Sequence, residues 1–198
     1  MADTISQPAK DEWERMLSGE LYVADSPQQQ DANMRKRRLV QAINTSKYDA
    51  FKEREELFHE LFGSLGKGGF LEPPFNCDYG CNTYIGDNFY ANMDCIFLDV
   101  AKITIGDRVF FGPRVGLYTP YHPIDAAVGS SGPEGARPIT IGSDVWFGGN
   151  VVSRRSRRHH RRRCGDWCRL RGGQGHPLTF GGRRQSMSCH SQDHGCRP

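Results

Sequence analysis

I85-G-D-N-F-Y, I105-G-D-R-V-F and I141-G-S-D-V-W open on the same four-residue frame: an aliphatic residue, Gly and two polar positions. Each runs on into a second six, as in F111-G-P-R-V-G and F147-G-G-N-V-V. An aliphatic residue every six positions matches neither the 3.6-residue helical turn nor its multiples, but it suits short strands joined by tight corners. These are the coils of a β-solenoid, in which each aliphatic side chain points inward and stacks on its equivalent one coil away. Gly or Asp/Asn is expected to supply the backbone geometry of the corners.

The repeat stops at about Val152, where S153-R-R-S-R-R-H-H-R-R-R begins. From Ser153 to Pro198 there are 12 Arg and no Lys, and Leu170 and Leu178 are the only members of the Leu/Ile/Val group. Such a tail has almost nothing to bury and is expected to be disordered. Arg with Gly, Cys, Trp and His is also the signature of GC-rich DNA read out of frame, and the genetic code tests this. Read one base forward, His159-His160 and Asp166-Trp167 must each give Ile or Thr. Trp167-Cys168 must give Gly, Cys164-Gly165 Val or Ala, and Gln174-Gly175 Lys or Arg. With the free positions chosen from what their codons allow, Arg157 to Pro177 becomes G-V-T-I-G-D-G-V-V-I-G-A-G-S-V-V-A-K-D-I-P, two further hexads in phase. Gly181 to His190 can become V-V-A-G-N-P-C-R-V-I. We therefore read the tail as the solenoid's own last coils translated in the wrong frame.

This reading changes what the composition means. The net charge is +3, yet the tail holds 12 Arg against two Asp, so residues 1–152 carry 14 basic and 21 acidic side chains. The body is acidic, and the overall basicity is no argument for nucleic acid as a partner. Four of the seven cysteines and five of the seven histidines lie in the tail, which leaves a zinc reading of Cys164, Cys168, His176 and Cys189 without weight. Cys77, Cys81 and Cys95 fit small buried residues in a reducing compartment. No apolar run approaches the roughly 18 residues of a membrane span, and Met1 to Lys10 is polar, so a cytoplasmic protein is expected.

Three parts follow: a helical segment over 1–66, the solenoid over 67–152, and the tail over 153–198. In the first, Trp13, Met16 and Leu17 stand at helical spacing before a stop at Gly19. A second helix is expected from about Gln29 to Asn44 and a third from about Tyr48 to Phe62, each with an apolar stripe for packing. G63-S-L-G-K-G-G lacks phosphate-loop spacing and reads as a linker. Within the solenoid, residues 117–138 interrupt the hexads as a loop, L117-Y-T-P-Y-H-P-I-D at its start. Function concentrates on such loops, and His122 is bracketed by Pro120 and Pro123, which restrict the backbone on both sides.

W-E-R-M-L-S-G-E-L-Y from Trp13, P-P-F-N-C-D-Y-G from Pro73, I-G-D-N-F-Y-A-N from Ile85, H-P-I-D from His122 and P-I-T-I-G-S-D-V-W-F-G-G from Pro138 together resemble the maltose and galactoside O-acetyltransferases. The resemblance covers about residues 11–152 and implies a left-handed parallel β-helix, a homotrimer with sites between subunits, and acetyl-coenzyme A as donor, with no metal. It implies that His122 is the general base, that Asn92 and Asp78 lie around the acceptor sugar, that Tyr90 stacks on its ring, and that Asp99 is a further polar contact. Trp146 and Gly149 match the coil along which coenzyme A lies. Other coenzyme A contacts in that family come from later coils, here replaced by the Arg-rich text, so much of the donor half is missing. The competing expectations are a non-catalytic hexapeptide scaffold or truncated pseudoenzyme, a nucleic-acid-binding protein, and a metal-dependent carbonic anhydrase. The last needs three histidines, and the body has only His59 and His122.

Overall fold

The computed structural model describes residues 10–125 and 132–153. The tail from residue 154, with its expected disorder and its out-of-frame coils, lies outside them.

The chain winds as a left-handed parallel β-helix with three flat sides. The first side is β1 (Ser64–Leu65), β4 (Thr83–Ile85), β7 (Ile103–Ile105) and β12 (Ile139–Ile141). The second is β2 (Phe70–Leu71), β5 (Tyr90–Ala91), β8 (Phe110–Phe111) and β13 (Trp146–Phe147). The third is β3 (Phe75–Cys77), β6 (Cys95–Leu98), β9 (Gly116–Tyr118) and β14 (Val152–Ser153). Each coil visits the three sides in that order, and all pairing between coils is parallel, with Ile85 opposite Ile105 and Ile105 opposite Ile141.

The hexad's letters now have separate causes. Ile85, Ile105 and Ile141 are buried in one core with Phe111, Phe147, Phe97 and Leu117. The following Gly is demanded by close approach: a Cβ on Gly86 would sit 2.8 Å from the backbone of Gly106, and one on Gly106 would sit 2.6 Å from the amide of Ser143. The third position ties coil to coil, because Asp87 and Asp107 side chains accept from the N–H of Lys67 and Asp87, and Ser143 Oγ accepts from Asp107 N–H, each at 2.9 Å. The left-handed backbone falls on the fourth position, at Asn88, Arg108 and Asp144. The corner is therefore shared between two positions, with Gly serving contact and its polar successors serving conformation.

Three helices precede the coils. α1 (Glu12–Ser18) is capped by Asp11 and Glu14 and stops at Gly19, whose φ is +81°. α2 (Pro27–Thr45) starts two residues before the expected Gln29 because Ser26 caps it and Pro27 supplies the first helical φ. α3 (Phe51–Leu61) starts later than the expected Tyr48, since the buried Arg54 ties the preceding turn through Ser46 Oγ and the carbonyl of Tyr48. Leu39, Val40, Ile43, Phe58, Leu61 and Phe62 join the core of the first coil and close the N-terminal end of the solenoid. The stretch read as a linker is already part of that coil: Leu65 pairs with Ile85, and Gly68 takes the corner at φ +68°.

Candidate active site

The interruption after β9 is a β-hairpin. β10 (Pro120–Tyr121) pairs antiparallel with β11 (Gly135–Ala136), placing Pro120 opposite Ala136 and Tyr121 opposite Gly135. His122 leaves this hairpin with 70% of its side chain exposed, and its Nε2 stands 3.7 Å from Oε2 of Glu134. That separation is beyond a hydrogen bond but close enough for the carboxylate to attract an imidazolium. Glu134 is held from its other side. Its backbone exchanges two hydrogen bonds of 3.0 Å with Tyr22, and its Oε1 accepts from the Tyr22 hydroxyl at 2.7 Å. Neither Glu134 nor Tyr22 was singled out in the sequence reading. The available signals were weak: Tyr22 closes the G-E-L-Y motif, and Glu134 is one of two acids in residues 117–138.

Asp78 follows β3, half-buried. Burial pushes its carboxyl up to about 6, aided by the charges of Asp99 and Glu134 and opposed by Lys36. An acid whose value is raised on folding binds its proton more tightly in the folded state. Its contribution to stability is then fully present below about pH 4 and is lost as the pH rises to about 6. Asp78→Asn is therefore expected to be more stable than the parent at pH 7, by on the order of 1–3 kcal/mol, and similar to it at pH 4. Urea unfolding at both pH values measures this, and an equal gap at the two would contradict it.

Asp99 is not where the resemblance puts it. Its side chain is fully buried and faces the protein, not the solvent. Oδ1 accepts from the N–H of Tyr79 and Gly80 at 2.9 and 3.0 Å, and Oδ2 accepts from Asn82 N–H and Thr83 Oγ1 at 3.2 and 3.1 Å. Burial raises this carboxyl and the bonds from Tyr79, Gly80 and Thr83 pull it back, with burial prevailing. With its oxygens occupied, Asp99 braces the corner that carries Asp78; it is not an acceptor contact.

The remaining candidates lie elsewhere on the prism. Tyr90 is on the second side, stacked on Phe70 at 6.2 Å and 9°, and the same outward column continues through Phe110 to Trp146. Asn92 and Gly149 sit at the corner between the second and third sides, where Asn92 Oδ1 accepts from Met93 N–H at 2.8 Å. His122, Glu134 and Asp78 gather at the far edge of the third side. Within one chain the third side, whose strands β3, β6 and β9 are three to four residues long and roughly 10 Å at the rise of a strand, lies between the two groups. Among the described residues no group of three His, Cys, Asp or Glu side chains is arranged to hold a metal.

The maltose acetyltransferase hexapeptide capping motif matches residues 15–66, from within α1 through the first strand. Galactoside O-acetyltransferase of Escherichia coli is 35% identical over 139 residues, spanning 70% of this chain and 68% of the relative. The chain belongs to the hexapeptide-repeat sugar O-acetyltransferase family. Among solved family structures, a maltose O-acetyltransferase from Clostridium difficile superposes with a TM-score of 0.72 at 45% identity, over 73% of this chain and 78% of that one. A hexapeptide-repeat acetyltransferase from Vibrio cholerae, solved with acetyl-coenzyme A, superposes with a TM-score of 0.66 at 40% identity, over 72% and 77%. Membership makes the chain an acyltransferase. Among the described residues, no helix is long and apolar enough to cross a membrane.

Proposed function

We propose that the chain moves the acetyl group of acetyl-coenzyme A to a hydroxyl of a sugar such as maltose or glucose, with His122 as the general base. The observation that carries this is the His122–Glu134 pair on the hairpin of a sugar acetyltransferase fold. His122 takes the acceptor proton as the oxygen attacks the thioester carbonyl. The new C–O bond forms, the C–S bond breaks, and the proton passes from the imidazolium to the departing sulfur. Glu134 supplies the counter-charge while the imidazolium exists. Asp78 and Asn92 orient acceptor hydroxyls, Tyr90 offers its ring to the sugar, and Trp146 and Gly149 line the donor path. Holding both substrates in one cleft supplies much of the remaining acceleration.

The separation of the two residue groups supports a homotrimer, in which the far edge of one subunit meets the Asn92–Trp146 edge of the next. Cys77, Cys81 and Cys95 are free thiols, which supports a reducing, cytoplasmic setting. A non-catalytic scaffold has no use for a histidine faced by a braced carboxylate. The test is thiol release from acetyl-coenzyme A in the presence of maltose, glucose and a galactoside, for the chain as it stands and for a frame-restored chain. Acceptor-dependent release by the frame-restored chain is expected, weakened by Asn92→Ala with donor binding kept. Acceptor-independent release, or none, would contradict the proposal.

A further inference from the structure

Three side chains form a graded line from the interior to the open imidazole. Tyr22 is 1% exposed, packed with Met16, Tyr79, Val100, Ala101 and Ala136. Glu134 has 19% of its side chain exposed and His122 has 70%. The prolines and the hairpin restrain the His122 backbone, and the line from Tyr22 through Glu134 reaches its ring. Tyr22 also comes from a different part of the chain, 112 residues before Glu134, and the two backbones meet in an isolated antiparallel bridge.

We propose that Tyr22 is a positioning residue for acetyl transfer: by donating its hydroxyl to Oε1 of Glu134, it fixes the carboxylate whose other oxygen faces His122. This rests on His122 being the base. A carboxylate with one oxygen tethered has a single direction in which to offer the second, whereas an untethered Glu side chain samples several rotamers at the edge of solvent. Burial and the bond to Glu134 hold the Tyr22 hydroxyl protonated, far above its ordinary range, so it remains a donor at every working pH. The backbone bridge does a separate job. It anchors the hairpin with or without the hydroxyl, and this makes the two roles separable by mutation.

The test is a double-mutant cycle of Tyr22→Phe and Glu134→Gln, measured as kcat and KM. The full chain and the frame-restored chain share residues 1–152, and the cycle is run in whichever turns over faster. Tyr22→Phe keeps the ring and the bridge and is expected to lower kcat roughly 10-fold, the size of one charge-assisted hydrogen bond, with both KM values within about twofold of the parent. Glu134→Gln is expected to lower kcat at least as much, and adding Tyr22→Phe to it to change kcat by less than about twofold, because the hydroxyl acts through that carboxylate. Full kcat in Tyr22→Phe, multiplicative losses in the double variant, or a loss confined to KM would each overturn the proposal. If Tyr22→Phe does not accumulate as folded protein, Glu134→Asp, which draws the carboxylate away from the hydroxyl, takes its place in the comparison. His122→Ala, run alongside, separates the two readings. If it retains the parental rate, the base assignment itself fails; if it loses the rate while Tyr22→Phe does not, only the positioning role falls.

Discussion

Asp99→Ala is expected to destabilise the fold by roughly 3–5 kcal/mol, enough to leave a marginally stable solenoid partly unfolded at ordinary temperature. The carboxylate satisfies four donors at one corner, and all four face protein interior once it is gone. Each buried donor left without a partner costs about 1–3 kcal/mol, and water entering the vacated space recovers only part of that. The same corner holds Asn82, whose amide donates to the carbonyls of Asp99 and Val100 at 2.8 and 3.3 Å, so the damage spreads along the turn between two coils. Urea unfolding followed by circular dichroism measures the effect, with Asp99→Asn, which keeps one acceptor oxygen, falling between the parent and Asp99→Ala. A loss below about 1 kcal/mol in Asp99→Ala would mean that the network is dispensable.

The hexads were legible because one inward side chain per side fixes a period that no helix shares, and Ile85, Ile105 and Ile141 declare it openly. The division of labour inside the hexad was not, since close approach at Gly86 and a left-handed backbone at Asn88 both look like a turn when only residue types are visible. Asp99 was misplaced for a related reason. A polar residue two positions beyond Phe97 can face solvent or turn into a corner, and nothing in its own neighbourhood tells that four donors, all from residues 79–83, converge on it. G63-S-L-G-K-G-G looked like a linker because the first coil carries only Leu65 as a core residue on its first side. Its partner Ile85 lies in the next coil, and that pairing is visible only in three dimensions.

His122 was legible as a candidate from its loop and its flanking prolines. Glu134 and Tyr22 were not, because the hairpin joins residues on either side of a long insertion and the bridge joins residues 112 positions apart. Asp78 was found through its motif, but its raised carboxyl comes from burial and from Asp99 and Glu134, charges that the sequence does not place beside it.

The central claim is that His122 removes the acceptor proton, and His122→Ala in the frame-restored chain tests it most directly. A positioned general base contributes roughly 10²–10⁴ in rate, so thiol release from acetyl-coenzyme A with maltose, glucose or a galactoside should fall by at least about 10²-fold. Coenzyme A binding, measured by calorimetry on the same preparation, should stay nearly unchanged, because the imidazole acts on the acceptor during transfer and not on the donor at rest. A variant that keeps more than about half of the parental rate would contradict the account, since the loss of a general base cannot cost so little.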